Sequence, residues 1–182
     1  LLVLLRFRDS LSKENRLQGE LKERFVYYKE VLRHRKFMYF VSIQVLGMGV
    51  MFSYIASSPF VFQEHYHLSP VMYSVCFACN AVAIMLGSLS VVRFRSNEHA
   101  LRVGVWGFMF LCCCTGAALC MELSVIIIEI VFFLFLFFLG IILPTSTTLA
   151  LNLERQNSGT ASAILGFLTF LGGGIVSPLT GM

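Results

Sequence analysis

Five long, uninterrupted apolar runs constrain this chain more than any other feature of its sequence. They cover about residues 37–62, 70–92, 101–121, 125–151 and 160–182. About 20 mostly apolar residues cross a hydrocarbon core as a helix, and each run is long enough. The runs are continuous rather than alternating, which favours helices over barrel strands. Composition agrees: 57% of the 182 residues are hydrophobic and 13% are charged, against about 25% charged in soluble domains, and the mean hydropathy is +0.79. A soluble enzyme, a disordered tail and a nucleic-acid module are excluded on these grounds. The expected fold class is an all-α integral membrane protein.

Charge orders the spans. Residues 1–36 hold ten of the 14 Lys and Arg and five of the ten acids. Beyond them, the 93–102 connection carries Arg93, Arg95 and Arg102, and the 152–159 connection carries Arg155. The connections near 63–69 and 122–124 carry Glu64, His65, His67 and Glu122 without Lys or Arg. Basic and non-basic connections therefore alternate, which predicts that residues 6–36 and the other basic connections are cytoplasmic. The chain starts in a short apolar run, Leu1–Leu5, and stops at Met182 within a Gly-rich stretch. This suggests a piece of a longer protein that opens on the end of a preceding span.

Segment 13–35 repeats Leu17, Leu21, Phe25, Tyr28 and Leu32 at steps of four and three, one face of a helix. Glu20 stands four residues before Arg24 on the charged face. An amphipathic linker helix is expected, lying against the membrane or packed under the bundle.

Polar residues within the spans are few, so each is a candidate. Gln44 shares a face with Met48 and Phe52, Asn80 with Phe77 and Ile84, and Glu129 with Phe133 and Phe137. An ionisable group at depth is costly unless it faces a cavity or a partner. Glu129 is therefore the candidate for a proton, although its position one turn from the span's end also allows it to reach the interface. Pro144 interrupts the fourth span and is followed by Thr145, Ser146, Thr147 and Thr148, whose hydroxyls can satisfy the carbonyl that proline frees. A hinge or a static bend is expected there. Gly159, Ala163 and Gly166 form a small-residue face for close helix packing in the fifth span.

No catalytic constellation emerges. Cys76 and Cys79 form a CxxC inside a span without a second pair, and Cys112, Cys113, Cys114 and Cys120 read as apolar filler. Neither an enzyme, a cofactor nor a metal is expected.

The stretches Tyr54-Ile-Ala-Ser-Ser-Pro-Phe-Val-Phe62 and Tyr66-His-Leu-Ser-Pro70 resemble the seventh helix and following loop of bacterial drug:proton antiporters. The group they resemble is the bicyclomycin resistance (Bcr/CflA) subfamily of the major facilitator superfamily. Leu143-Pro-Thr-Ser-Thr-Thr-Leu-Ala-Leu151 and Gly159-Thr-Ala-Ser-Ala-Ile-Leu-Gly166 are similar to its tenth and eleventh helices, and Arg6–Arg16 to the charged segment after the sixth. The resemblance implies two six-helix halves around a central site. Residues 1–5 would end the sixth helix, 6–36 form the cytoplasmic linker, and 37–182 supply helices seven to eleven. The twelfth helix and the N-terminal half would lie outside the chain.

Two departures are visible. Gly87 is followed four residues on by Val91 where the superfamily's loop signature has Asp, and Thr169 stands where the group often carries Gln. The implied activity is proton-coupled efflux of drugs or other small amphipathic molecules in the bacterial inner membrane. Its partners would be protons, a drug-like molecule, the lipid bilayer and the missing half. The superfamily plan makes Gln44, Met48, Phe52, Phe77, Asn80, Phe133, Phe137 and Thr169 the lining candidates, with Glu129 as proton carrier. The alternatives are a metabolite facilitator or importer on the same fold, and a membrane scaffold without a transport cycle.

Overall fold

A computed structural model describes residues 28–155 and 157–180. The apolar run Leu1–Leu5, the Leu17, Leu21 and Phe25 face, the Glu20–Arg24 pair and residues 181–182 lie outside the described residues. Five helices follow one another: α1 (Arg35–Pro59), α2 (Pro70–Ser90), α3 (Asn97–Cys120), α4 (Val125–Leu153) and α5 (Ser158–Thr180). Each is long and apolar enough to cross a membrane, and no strand occurs among the described residues.

Local chemistry sets the helix ends. Ser69 caps α2 by accepting from the Met72 amide at 3.3 Å, with Pro70 in the first turn where its missing N–H costs nothing. Ser96 does the same for α3, accepting from the His99 amide at 3.2 Å. Pro59 withholds an amide from α1, and the chain continues as a wider π-helical turn, Phe60–His65. That turn buries Phe62 completely and carries Tyr66 across to α3–α4, where its hydroxyl donates to the Leu123 carbonyl at 2.8 Å. At the opposite end, His34 and the Glu154 carboxylate join the start of α1 to the end of α4 by a hydrogen bond.

Helix α4 is the centre of the bundle. It packs against α1, α2 and α3, while α5 is held mainly by α1. Buried residues run right round α4, from Ile128, Phe132 and Leu136 to Ile141, Ile142 and Ala150. The α2–α4 crossing is the tightest: a Cβ on Gly87 would stand 2.0 Å from the Phe137 carbonyl oxygen, and one on Gly140 would stand 2.3 Å from that of Ile84. Two backbones approach this closely only where neither carries a side chain. Exposed Trp106, Phe110, Ile126, Phe167 and Phe170 clothe the outside, a surface suited to lipid tails.

Three particulars stand out. Residues 28–33 are helical, but Val31 is the buried residue there, packed with Phe37, Val41, Ala150, Ala161 and Ile164. Tyr28 and Leu32, of the expected apolar face, are exposed, because the helix breaks at His34 and presents the Val31 side to the bundle. Second, the face bearing Gly159, Ala163 and Gly166 points away from the described chain. Ala163 is exposed, and a Cβ on either glycine would meet nothing within 4 Å. Close packing of α5 falls instead to Gly172, whose Cβ would come 2.3 Å from Val45, and Gly173, 2.3 Å from the Phe52 ring.

Third, the hydroxyls after Pro144 do not take the Gly140 carbonyl that proline frees. Thr145 donates to the Ile141 carbonyl at 2.5 Å, Ser146 lies 2.8 Å from that of Ile142, and Thr148 donates to Pro144 itself at 2.7 Å. A serine or threonine reaches back three or four residues along its own helix, so positions 145–148 fall one register late.

Candidate functional site

Two polar clusters stand inside the bundle. The first joins three helices. Asn80, mid-way along α2 and 1% exposed, places its Nδ2 at 3.0 Å from the Tyr54 hydroxyl of α1 and 3.1 Å from Glu129 Oε2 of α4. Ten residues separate Asn80 from the start of its helix, about 15 Å of depth. Glu129 begins one turn into α4 and could have extended toward the interface, but it turns inward to Asn80. The Asn80 Oδ1 and Glu129 Oε1 atoms are buried without a hydrogen-bond partner among the described residues.

Aromatic rings wall this cluster. The Tyr54 ring stacks on Phe77 at 6.1 Å, with 11° between the planes, and leans on Phe132 at 5.5 Å. Tyr73 lies 6.0 Å from Phe77, and its hydroxyl meets Ser58 Oγ at 3.0 Å. A carboxyl group is thereby held in a largely apolar shell by one amide whose two N–H groups serve two different helices.

The second cluster lies toward the other end. Ser146 Oγ is 2.5 Å from Gln44 Oε1, tying α1 to α4 two residues beyond Pro144. Gln44, Thr145 and Ser146 are all buried. The Gln44 amide is therefore engaged with a neighbouring helix.

The remaining candidates scatter. Phe77 joins the Asn80–Glu129 cluster through Tyr54, and Phe133 and Phe137 are half-buried against the same apolar core. Met48 is half-buried, and Phe52 packs at the α1–α5 contact opposite Gly173. Thr169 is buried on α5, with its hydroxyl unpartnered among the described residues.

Tyr54 and Phe132 were not among the site candidates of the sequence, and Ser146 was noted there only for its own helix, not for a tie to Gln44. On α1 the buried positions are Phe37, Val41, Gln44, Gly47, Gly49, Tyr54 and Ser58, with Met51 half-buried. Apart from Gly49 these positions are linked by a mixture of threes and fours, whereas the Gln44, Met48, Phe52 series uses fours alone and drifts about 40° per step. Alternating the steps from Gln44 would have reached Tyr54. The cysteines are free, and no group of metal ligands occurs among the described residues.

Comparison with known proteins gives the family. The model of the Major Facilitator Superfamily matches residues 1–177. The chain belongs to the major facilitator superfamily. It is also 33% identical over 190 aligned positions to the "Uncharacterized MFS-type transporter YdgK" of Bacillus subtilis (strain 168). That alignment covers 100% of this chain and 46% of the relative, so the chain spans about half the length of the relative it matches. No solved structure gives a significant match. Membership makes this a multi-pass membrane chain of transporter type.

Proposed function

We propose that the chain is the C-terminal half of a proton-driven exporter of drugs or other small amphipathic molecules. It works by alternating access in the cytoplasmic membrane of a bacterium, against an N-terminal half supplied by the rest of the protein. The observation that carries this reading is the inward turn of Glu129 onto Asn80 and Tyr54. A carboxyl group is retained at membrane depth when it binds something, and a proton is the smallest cargo that a carboxylate can take.

The rings of Tyr54, Phe77 and Phe132 offer a flat, adaptable wall to an apolar molecule, with Met48 and Phe52 further along α1. Gln44, Asn80 and Thr169 would orient its polar groups, and Phe133 and Phe137 would complete the lining. Charge supports the orientation: Arg35, Lys36, Arg93, Arg95, Arg102 and Arg155 fall at one set of helix ends, assigned to the cytoplasm. The bend at Pro144, beside the Gln44–Ser146 tie, is the hinge candidate in α4. The resemblance to the bicyclomycin resistance group supports efflux over uptake.

The test is drug accumulation by a hypersensitive bacterial host carrying the full-length protein, with and without a protonophore. Export is expected to lower accumulation of at least one amphipathic antibiotic or dye, to vanish with the protonophore, and to be lost in Glu129→Gln. Unchanged accumulation across a broad panel, with the protein confirmed in the membrane, would end the export reading.

A further inference from the structure

The Asn80 side chain can satisfy Tyr54 and Glu129 in two ways, and which one it uses depends on a single proton. With Glu129 ionised, both groups beside Asn80 Nδ2 can accept, and the two N–H groups of the amide serve one each. Tyr54 is then an acceptor, and its own O–H is free for another partner. A proton on Glu129 Oε2 reverses the requirement, because that oxygen now donates toward an atom that can only donate.

Rotating the amide by half a turn exchanges two atoms of nearly equal size and puts Oδ1 in the place of Nδ2. Its two lone pairs can accept from Glu129 and from Tyr54 together. Placing the proton on Oε1 instead would aim it where no partner stands among the described residues. The rotation leaves as many atoms unpartnered as before: Oε1 and Oδ1 in one state, Oε1 and Nδ2 in the other.

We propose that Asn80 is a positioning residue that turns over as Glu129 exchanges its proton, and so offers or withdraws the Tyr54 hydroxyl as a donor. This rests on the transport reading above and supplies it with a coupling step. Ionised Glu129 leaves the Tyr54 O–H available to an acceptor group on a molecule lying against Phe77. A proton reaching Glu129 from the nearer membrane face calls that O–H back to Asn80, and the molecule loses its hydrogen bond. The proton later leaves the same carboxyl for water on the other side, and the amide returns. Among the described residues, the other titratable groups that act on Tyr54 are Tyr73 and Cys76 from α2, and α4 contributes Glu129 alone. Tyr73 is already engaged with Ser58.

The experiment is an infrared difference titration with pH of the full-length protein in lipid, with no substrate present. A protonated-carboxyl band that is absent in Glu129→Gln identifies Glu129. The expected result is that an asparagine side-chain band and a tyrosine C–O band shift with the same midpoint as that carboxyl band. In Asn80→Leu the carboxyl band should persist while the tyrosine shift disappears. In Tyr54→Phe the carboxyl and amide bands should still move together, which tests the rotation even where Asn80→Leu fails to fold. A stationary amide band in the wild type or in Tyr54→Phe, or a tyrosine shift that survives in Asn80→Leu, would overturn the proposal. Because only protons are titrated, these results stand apart from any failure to export drugs.

Discussion

The α2–α4 and α1–α5 contacts are both built on glycine, yet they are different kinds of joint. At α2–α4, Gly87 and Gly140 face main-chain carbonyls, of Phe137 and Ile84. At α1–α5, Gly172 and Gly173 face the side chains of Val45 and Phe52, and Gly49 faces Val176 at 3.4 Å. A carbonyl within a helix cannot move without the whole helix, whereas a side chain can change rotamer. The first contact therefore behaves as a fixed seam, and the second as one that adjusts. Glu129 and Asn80 sit across the seam, so the distance on which their hydrogen bond depends is held by backbone. Thr169, buried with an unpartnered hydroxyl, lies on α5, the helix of the adjustable joint.

Adding one methyl group to the seam should have the largest effect. Gly140→Ala and Gly87→Ala would place a carbon 2.3 Å and 2.0 Å from a carbonyl oxygen, far inside van der Waals contact, so the helices must separate. Overpacking of a core costs about 1–3 kcal/mol where side chains can yield, and here they cannot. Both variants are expected to lose most of the folded protein recovered from membranes, as read by size-exclusion chromatography in detergent. Recovery and melting temperature equal to the wild type would mean that the seam gives way, and the contrast between the joints would fail.

The adjustable joint should respond less, and reversibly. Gly173→Ala places its methyl group against the Phe52 ring, so Phe52→Ala should restore what Gly173→Ala removes. A double-mutant cycle on thermal stability is expected to give a coupling within about 0.5–3 kcal/mol, with the double variant more stable than Gly173→Ala alone. Strict additivity would show that the ring moves aside without cost. Phe52 would then be free for another role.

These contrasts mark how far the sequence could be read. The five spans and their all-helical class were legible because an apolar run of this length has few other solutions. Polar exceptions such as Asn80 and Glu129 were legible for the same reason: in an oily helix, any polar residue is conspicuous. Their meeting was not, since it depends on how α2 and α4 cross, and that is set by Gly87 and Gly140 together, residues 53 positions apart. Tyr54 was hidden differently. Its hydroxyl is one atom on an aromatic ring, and composition counts it with Phe. Glycine faces carry the same ambiguity, because Gly159 and Gly166 have helical spacing as regular as that of any packed pair. Only the partner helix distinguishes a contact from an open face.

That open face gives the smallest expected effect and the sharpest test of the difference. A Cβ on Gly159 or Gly166 meets nothing in the described chain, unlike one on Gly172 or Gly173 of the same helix. Alanine is a better helix former than glycine by about 1 kcal/mol in a helix interior. Gly166→Ala, within α5, should therefore leave the melting temperature of the present chain unchanged or raise it slightly, while Gly172→Ala lowers it by crowding Val45. On the two-half reading proposed above, the same Gly166→Ala change in the full-length protein then reads the rest of the molecule. A loss of stability there, absent from this chain, would show that the remaining helices close over α5 at that point. An unchanged melting temperature in both would leave the small residues facing lipid or an open cavity, and the close packing of α5 would rest on Gly172 and Gly173.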